Sequence, residues 1–331
     1  MKRIFKITLI LFILLTAAGC VPPASPGPQV KATPAVKPKK TYSDLIIGFA
    51  QLGAESEWRV ANTVSIQETA QQLGIELKFY DAQQDQNNQI TAVRKLIVEK
   101  VDVIGISPIV ETGWTEVFQE AKDAGIPIIL VDRSADVPDN LYVAKLGSDF
   151  DEEGRNAARQ MVRLTSGKAN IVELVGTVDS APANGRYRGF REILKDYPDM
   201  HIIDSQSGDF TLAQGQEVMA SFLKTYGKSI TAVFAHNDDM ALGAIQAIED
   251  YGLRPGVDIK IVSVDAARGA FEAMIAGKLN ATIECNPLLG SQFFDLALKV
   301  VNGEAVPKWV PSKEGIFLPD NAAEILPTRK W

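Results

Sequence analysis

The side chains most suited to binding or chemistry follow apolar runs in the first half of the chain. Two of these runs, at 45–50 and 126–131, are each followed by polar or aromatic side chains. These side chains are Glu55, Trp58, Arg59, Asp132 and Arg133. In an open parallel sheet, ligands bind beyond the carboxyl ends of the strands. The five side chains are therefore predicted to share one binding site.

The second half of the chain repeats the pattern. Asn237 follows the run 230–235, Asp265 follows 259–264, and Glu284 closes the run 280–284. Carboxylates, amides and guanidinium groups offer paired donors and acceptors in planar geometry, which suits the adjacent hydroxyls of a sugar. Trp58 or Phe210 would supply a flat face for the C–H surface of the ring. Helix caps and turns are the competing interpretation for single Asp and Asn residues, but strand ends in both halves favour a carbohydrate cleft.

Signatures of enzymes, cofactors and metals are absent from the sequence. It contains no dinucleotide-binding glycine motif, no phosphate-binding loop and no nucleophile elbow. His201 and His236 lack partners at metal-ligand spacing, and His236 is interpreted as either a cleft residue or a buried structural one. A weaker alternative to a binding protein is a glycosidase that uses Asp132 and Asp265 as its carboxylate pair. We expect a binding protein that is not an enzyme and has no cofactor or metal.

Alternating strand and helix patterns position these residues. Apolar runs alternate with helical patterns along the chain, which predicts βαβ units and parallel sheets. Two successive series indicate an α/β fold with two doubly wound parallel-sheet lobes, and one large sheet is the alternative. The last segment is predicted to recross, giving a three-segment hinge. The predicted lobes are 41–147 plus 286–311, and 148–285 plus 312–331.

The first forty residues indicate export. Cationic residues precede a short apolar run in segment 1–19, and small residues precede Cys20. This pattern predicts a secretory signal rather than a spanning helix, and it resembles a bacterial lipobox with Ala17 where Leu is commonest. Cys20 is then the lipidated first residue, and the Pro-rich segment 20–40 is a semi-rigid linker. An ordinary signal peptide with a chance Cys is the alternative.

The charge balance narrows the class of partner. The chain has a formal charge of −7, which becomes −10 when the three cations Lys2, Arg3 and Lys6 leave with the signal. An acidic chain is a poor candidate for binding nucleic acid. Cys285 is the only cysteine after Cys20, so no internal disulfide is expected, and we interpret it as a buried core thiol.

Several motifs carry a family resemblance across nearly all of 45–318. They are Glu55-Ser56-Glu57-Trp58-Arg59, Thr112-Gly113-Trp114, Leu130-Val131-Asp132-Arg133-Ser134, Gln206-Ser207-Gly208-Asp209-Phe210-Thr211 and Ala235-His236-Asn237-Asp238-Asp239-Met240. The chain resembles the ribose-binding type of sugar-binding proteins from bacterial ABC importers, which have the type I periplasmic binding protein fold. Within them it is most similar to the galactofuranose-binding branch.

The resemblance implies roles for individual residues. Trp58 and Arg59 fall where ribose-binding relatives place two stacking aromatics, and Arg59 departs from them as the galactofuranose branch does. Asp132, Arg133 and Arg186 would hydrogen-bond the sugar. Asn237, Asp265 and Glu284 match the residues that complete the ring of contacts.

The same resemblance implies the function and the partners. We expect an exported, lipid-anchored monomer that closes around a monosaccharide and delivers it to ABC permease subunits, touching the membrane only through its anchor. Galactofuranose or a similar furanose is favoured. A sugar sensor or chemoreceptor partner, or a receptor for inositol or arabinose, stays open as an alternative.

Overall fold

The computed structural model describes residues 38–331 together with Thr8. The predicted signal segment, the lipidation site at Cys20 and nearly all of the linker lie outside the described residues. Within the described part, no helix combines the length and the apolar character needed to cross a membrane.

Strands and helices alternate along the described chain. The strands are β1 (Ile46–Gln51), β2 (Glu76–Asp81), β3 (Val103–Ile106), β4 (Ile128–Val131), β5 (Ala144–Gly147), β6 (Ala169–Val175), β7 (Met200–Ser207), β8 (Ala232–Ala235), β9 (Lys260–Asp265), β10 (Ala281–Glu284), β11 (Trp309–Pro311) and β12 (Ile316–Phe317). The helices are α1 (Glu57–Leu73), α2 (Gln86–Val98), α3 (Thr115–Asp123), α4 (Phe150–Thr165), α5 (Ala181–Leu194), α6 (Leu212–Tyr226), α7 (Asp238–Asp250), α8 (Arg268–Ile275), α9 (Gly290–Val301) and α10 (Pro319–Ile325).

The strands form two six-stranded sheets. Their orders are β11-β5-β4-β3-β1-β2 and β12-β10-β9-β8-β6-β7. All neighbours are parallel except β12, which pairs antiparallel with β10. Helices cover both faces, so β3, β4 and β8 are buried at every residue and read as continuous apolar runs. The two predicted doubly wound lobes are confirmed.

Two short strands go beyond the sequence prediction. β5 was not predicted, because a four-residue strand interrupted by Lys145 gives almost no apolar run. β12 has only two residues and runs against its neighbour, so the second sheet is mixed at one edge. Such short strands carry little periodicity, and their pairing depends on tertiary contacts.

The chain passes between the two sheets three times, as predicted. The crossings follow β5 at 148–149, β10 at 285–289 and β11 at 312–315. After the second crossing, α9 returns to the first sheet and packs against α1, β3 and β4. Gly105 in β3 makes room for it, because a Cβ there would lie 2.5 Å from the ring of Phe293. Three crossings make a hinge between the lobes.

Helices α4 and α5 approach each other closely, and this contact builds one wall of the site. A Cβ on Gly154 would lie 2.3 Å from the carbonyl oxygen of Arg186, and one on Gly189 would lie 1.9 Å from that of Asp151. Only glycine permits backbones to come so near. The seam places the side chain of Glu153 against that of Arg186.

Candidate functional site

A cavity of about 270 Å³ lies beyond the carboxyl ends of strands from both sheets. Its lining consists of Glu55, Ser56, Trp58, Arg59, Asp132, Arg133, Pro182, Arg186, Phe210, Asn237, Asp265 and Cys285. Nine of the ten predicted ligand-binding residues are among them. Eight of the twelve lining residues are polar or charged, which suits a small hydrophilic ligand.

Arg59 organises the wall contributed by the first sheet. It lies in the first turn of α1, which begins after the N-cap Ser56. Its Nη2 donates to Asp132 Oδ2 at 2.6 Å, and its Nε donates to Glu55 Oε1 at 3.3 Å. Burial alone would lower the pKa of Arg59, but the two carboxylates outweigh burial and raise it. Arg59 is therefore a fixed cation that orients both acids.

Arg133 is the second cation of this wall, and its hydrogen bonding is incomplete. Nη1 donates to the carbonyl oxygen of Ile109 at 2.9 Å, and Nη2 donates to Glu55 Oε1 at 3.3 Å. Burial, followed by the charge of Arg59, lowers its pKa to about 10. Arg133 Nε and Glu55 Oε2 are buried without a protein partner. Buried polar atoms normally have partners, so this donor and this acceptor are free for a ligand hydroxyl.

Arg186 organises the opposite wall. Its Nε donates to Glu153 Oε2 at 2.7 Å, its Nη1 donates to the carbonyl oxygen of His236 at 2.6 Å, and its Nη2 lies 3.6 Å from Asp265 Oδ1. Burial opposes the charge, but Glu153, Cys285 and Asp265 raise the pKa of Arg186. Burial raises the pKa of Asp265 despite the arginine beside it. An arginine and an acid thus face the cavity from the second sheet as well.

Three lining residues adopt backbone conformations that are unfavourable for L-amino acids. Asp132 has φ of 66°, Phe210 has 61° and Asp265 has 125°. Such conformations cost about 1–3 kcal/mol each and persist where surrounding structure enforces them, commonly at functional sites. The strain coincides with the strand ends that bring these side chains to the cavity.

The aromatic residues flank the charged groups. Trp58 is 4% exposed, its ring centroid lies 4.6 Å from the Arg59 guanidinium carbon, and its indole N–H donates to the carbonyl oxygen of Cys285 at 2.6 Å. The ring of Phe210 lies 5.4 Å from Arg133 and 5.9 Å from Arg186. Rings next to planar cations are the surfaces expected around a sugar, which has polar edges and C–H faces.

Asn237 fits both interpretations of the sequence, because it is a cavity residue and also a helix cap. It lines the cavity, yet its Oδ1 accepts from the Met240 N–H as the N-cap of α7, and its Nδ2 donates to the carbonyl oxygen of Phe210. Its neighbour His236 is fully buried, does not line the cavity and bonds Glu173 at 3.2 Å. Burial lowers the pKa of His236, so it is a neutral structural residue.

The prediction for Glu284 is corrected. Its Oε1 accepts from Arg329 Nη1 at 2.5 Å and its Oε2 accepts from the Gly315 N–H at 2.8 Å. These contacts hold the carboxylate against the C-terminal segment, away from the cavity. Side chains alternate along a strand, and the following residue, Cys285, lines the cavity instead.

Four residues at or next to the cavity were not predicted from the sequence. Ser56, Pro182 and Cys285 line the cavity, and Glu153 lies behind Arg186. Cys285 was correctly predicted to be buried, and its place directly after β10 was the signal for a lining role. Ser56 and Pro182 begin helices, where Ser and Pro are common for capping reasons alone. Glu153 lies inside α4 and gives no local signal.

The structure is a closed form in which both lobes touch around the cavity. The Glu111 N–H after β3 donates to the carbonyl oxygen of Asp179 after β6 at 3.0 Å. Asn184 Nδ2 on α5 donates to Glu111 Oε2 at 2.7 Å. On the other flank, the Glu57 N–H approaches Asp239 Oδ1 at 3.5 Å. These contacts can form only when the carboxyl ends of both sheets approach each other.

Comparison with known proteins identifies the family. The model of the periplasmic binding protein domain matches residues 47–305, which include all twelve lining residues. The chain belongs to the periplasmic binding protein family. Membership implies export to the periplasm, in agreement with the predicted signal.

Relatives of this periplasmic binding protein include proteins named for furanose sugars. The galactofuranose-binding protein of Escherichia coli is 45% identical over 86% of this chain and 92% of its own length. A solved arabinose ABC transporter component from Shewanella sp. ANA-3, bound to L-arabinofuranose, is 45% identical with TM-score 0.84, covering 86% of this chain and 95% of that one. A Mycobacterium smegmatis structure in complex with β-D-fucofuranose is 48% identical with TM-score 0.84, covering 86% and 94%. These relatives are substrate-binding transport proteins rather than enzymes.

Proposed function

We propose that this chain is the substrate-binding lipoprotein of an ABC sugar importer and binds one furanose monosaccharide, with galactofuranose favoured, between its two lobes. The observation that carries the proposal is the cavity of about 270 Å³ with an arginine and a carboxylate on each wall. The relatives named for galactofuranose, arabinofuranose and fucofuranose support the five-membered ring.

The polar groups suit a neutral, hydroxyl-rich ligand. Each wall pairs its cations with acids, Arg59 with Asp132 and Arg186 with Glu153, so little net charge is left for an ion. The orphaned Arg133 Nε and Glu55 Oε2 offer one donor and one acceptor, the complement of a hydroxyl. Cys285 is a lining thiol, but burial raises its pKa and keeps it protonated, so the proposed protein binds its ligand unchanged.

Binding is proposed to act through the hinge. A sugar that contacts both walls does so only in the closed form, and its differential affinity shifts the population toward closure. The proposed lobes are 41–147 plus 286–311, and 148–285 plus 312–331. The closed, loaded protein is then the form that the permease subunits receive.

The anchor completes the proposal. The segment Ala17-Ala18-Gly19-Cys20 supports cleavage before Cys20 and its acylation. Each acyl CH₂ contributes about 0.8 kcal/mol to membrane binding, so several chains hold the protein at the bilayer. Mass spectrometry of the exported chain is expected to show an acylated Cys20 at the N-terminus, and an uncut N-terminus would refute the anchor.

A thermal-shift screen tests the ligand class. A ligand that binds only the native state raises the unfolding temperature in proportion to the logarithm of its concentration. We expect a shift from D-galactose or L-arabinose, whose solutions contain furanose forms, and none from methyl galactopyranoside, whose six-membered ring is locked. A shift from the locked pyranoside alone would overturn the furanose assignment.

A further inference from the structure

A second, larger cavity lies at the first hinge crossing. It measures about 780 Å³ and shares no lining residue with the sugar cavity. Tyr142, Lys145 and Trp309 come from the first sheet and its loops, while Phe150 and Arg188 come from α4 and α5. A ligand here would therefore touch both lobes.

Lys145 is the unusual group in this cavity. Among the residues the structure describes, none places a carboxylate within 4.0 Å of its ammonium or accepts a hydrogen bond from it. Desolvation by the surrounding protein lowers the pKa of Lys145 despite several more distant acids. Lys145 is only partly buried, and its ammonium reaches the open space of the cavity. A cation with a perturbed pKa in a cleft is a candidate for a functional site.

Aromatic rings near the ammonium of Lys145 stabilise its charge only in part. Its Nζ lies 5.3 Å from the ring centroid of Phe150 and 5.5 Å from that of Trp309. Cation–π contacts contribute about 0.5–2 kcal/mol and leave all three N–H donors unused. Trp309 is 42% exposed, so one of its surfaces remains available to a ligand.

The three carboxylates that line the cavity are already engaged. Asp151 is held by both Nε and Nη2 of Arg188, at 2.9 and 2.8 Å. Asp149 caps α4 by accepting from the Glu152 N–H at 3.0 Å. Glu111 accepts from Asn184 at 2.7 Å. Lys308, the other lysine of this cavity, donates to the carbonyl oxygens of Asp139 and Tyr142 at 2.5 and 2.7 Å. Among the described lining residues, Lys145 is thus the cation whose ammonium has no hydrogen-bond partner.

We propose that this cavity, here called the hinge cavity, binds a small organic carboxylate whose anionic group pairs with Lys145 and whose apolar body lies against Trp309. Because its walls come from both lobes, occupancy favours the closed form. The hinge cavity and the sugar cavity are then coupled, and each ligand raises the affinity of the other by the same factor. This coupling rests on the proposed function, whereas carboxylate binding does not.

Calorimetric titration with benzoate tests the site, with neutral benzamide as the matched compound. Titrations use the exported chain, both sugar-free and saturated with D-galactose. We expect benzoate to bind, benzamide to bind at least tenfold more weakly, and the galactose dissociation constant to fall severalfold in saturating benzoate. Absence of benzoate binding to both forms would overturn the proposal.

Variants of Lys145 test whether benzoate binds through this residue or through the general charge of the protein. Lys145→Met removes the charge and keeps the stem, and we expect at least a tenfold loss of benzoate affinity. Lys145→Arg restores the charge and should retain binding, while Lys195→Met, an exposed site on the second lobe, should change nothing. Equal benzoate affinity in Lys145→Met and the wild type would overturn the proposal. Benzoate binding without galactose binding would leave the site standing and refute only the sugar assignment.

Discussion

Glu153 Oε2 accepts a hydrogen bond from Arg186 Nε at 2.7 Å, and both side chains are at most 3% exposed. This pair connects the interior of α4 to the wall of the sugar cavity. The pair also lies beside the hinge. A carboxylate oxygen of Glu153, the Sγ of Cys285 and a carboxylate oxygen of Glu314 lie within 4.8 Å of one another, and Cys285 and Glu314 belong to the second and third crossings. Glu153 therefore fixes the direction of an arginine that lines the cavity between the lobes.

Glu153→Gln is expected to weaken both folding and binding. The substitution keeps the shape and removes the charge opposite Arg186, and breaking a buried ion pair costs about 3–5 kcal/mol of stability. We expect a lower melting temperature and a sugar dissociation constant about tenfold higher, or about 1.4 kcal/mol. Glu152→Gln is the matched control, because Glu152 is the preceding residue and pairs with Arg155 at the surface. Equal affinity in all three proteins would contradict the role of Glu153.

Asp132→Asn is expected to impair sugar binding. Asp132 accepts from Arg59 Nη2 at 2.6 Å and lines the cavity, and a neutral amide cannot replace the charge of this carboxylate. Hydrogen bonds to charged groups contribute about 1.5–3 kcal/mol, so affinity should fall between about tenfold and a hundredfold. Calorimetry measures the change, and Asp136→Asn, at an exposed position nearby, serves as control. Undiminished affinity in Asp132→Asn would remove this residue from the site.

Asn184→Asp is expected to open the cleft. Asn184 Nδ2 donates to Glu111 Oε2 across the lobes, and an aspartate would place two carboxylates opposite each other. The closed form loses a hydrogen bond and gains repulsion, while the sugar cavity keeps every lining residue. Small-angle scattering should show a larger radius of gyration in the presence of sugar than for the wild type, with weaker affinity. Asn184→Ala should give the smaller effect of losing the hydrogen bond alone. Identical scattering and affinity for Asn184→Asp and the wild type would show that the Asn184–Glu111 hydrogen bond does not hold the lobes closed.

Asp239 predicts a pH dependence of stability. Burial, followed by the charge of Glu57, raises its pKa from 3.8 to about 7. The folded protein therefore holds a proton that the unfolded chain releases, and the free energy of unfolding falls as the pH rises from about 4 to about 7. Asp238 and Glu314, with pKa values raised to about 7 and about 8 mainly by burial, act in the same direction.

Asp239→Asn removes one of these protons and should flatten the fall in stability between about pH 5 and 7. Urea unfolding at several pH values measures the slope. Glu173 acts in the opposite sense, because hydrogen bonds from His236 and Arg191 outweigh burial and lower its pKa to about 2. Its contribution is lost only as the pH falls through about 4 toward 2, so it does not obscure the test. A slope unchanged by the substitution would contradict the assignment.

The strand-end rule explains what the sequence reveals about the site. Residues at the ends of buried parallel strands lie at the carboxyl end of the sheet whatever the tertiary details, so the positions of Asp132 and Asp265 were predictable. The rule does not tell which face a side chain takes, and for this reason Glu284 was predicted in place of Cys285. Glu153 reaches the site only because Gly154 and its counterparts on α5 let two helices approach closely. That contact joins distant parts of the chain and leaves no periodic signal.

A calorimetric titration of D-galactose and of L-arabinose into the exported chain tests whether the cavity between the lobes binds a sugar. We expect binding of one sugar per chain, with a dissociation constant near the micromolar range, or about −8 kcal/mol. We also expect that Arg186→Met abolishes the heat, because the second wall then loses its cation. Absence of binding heat from both sugars would refute the proposed sugar site, as would equal binding by the wild type and Arg186→Met.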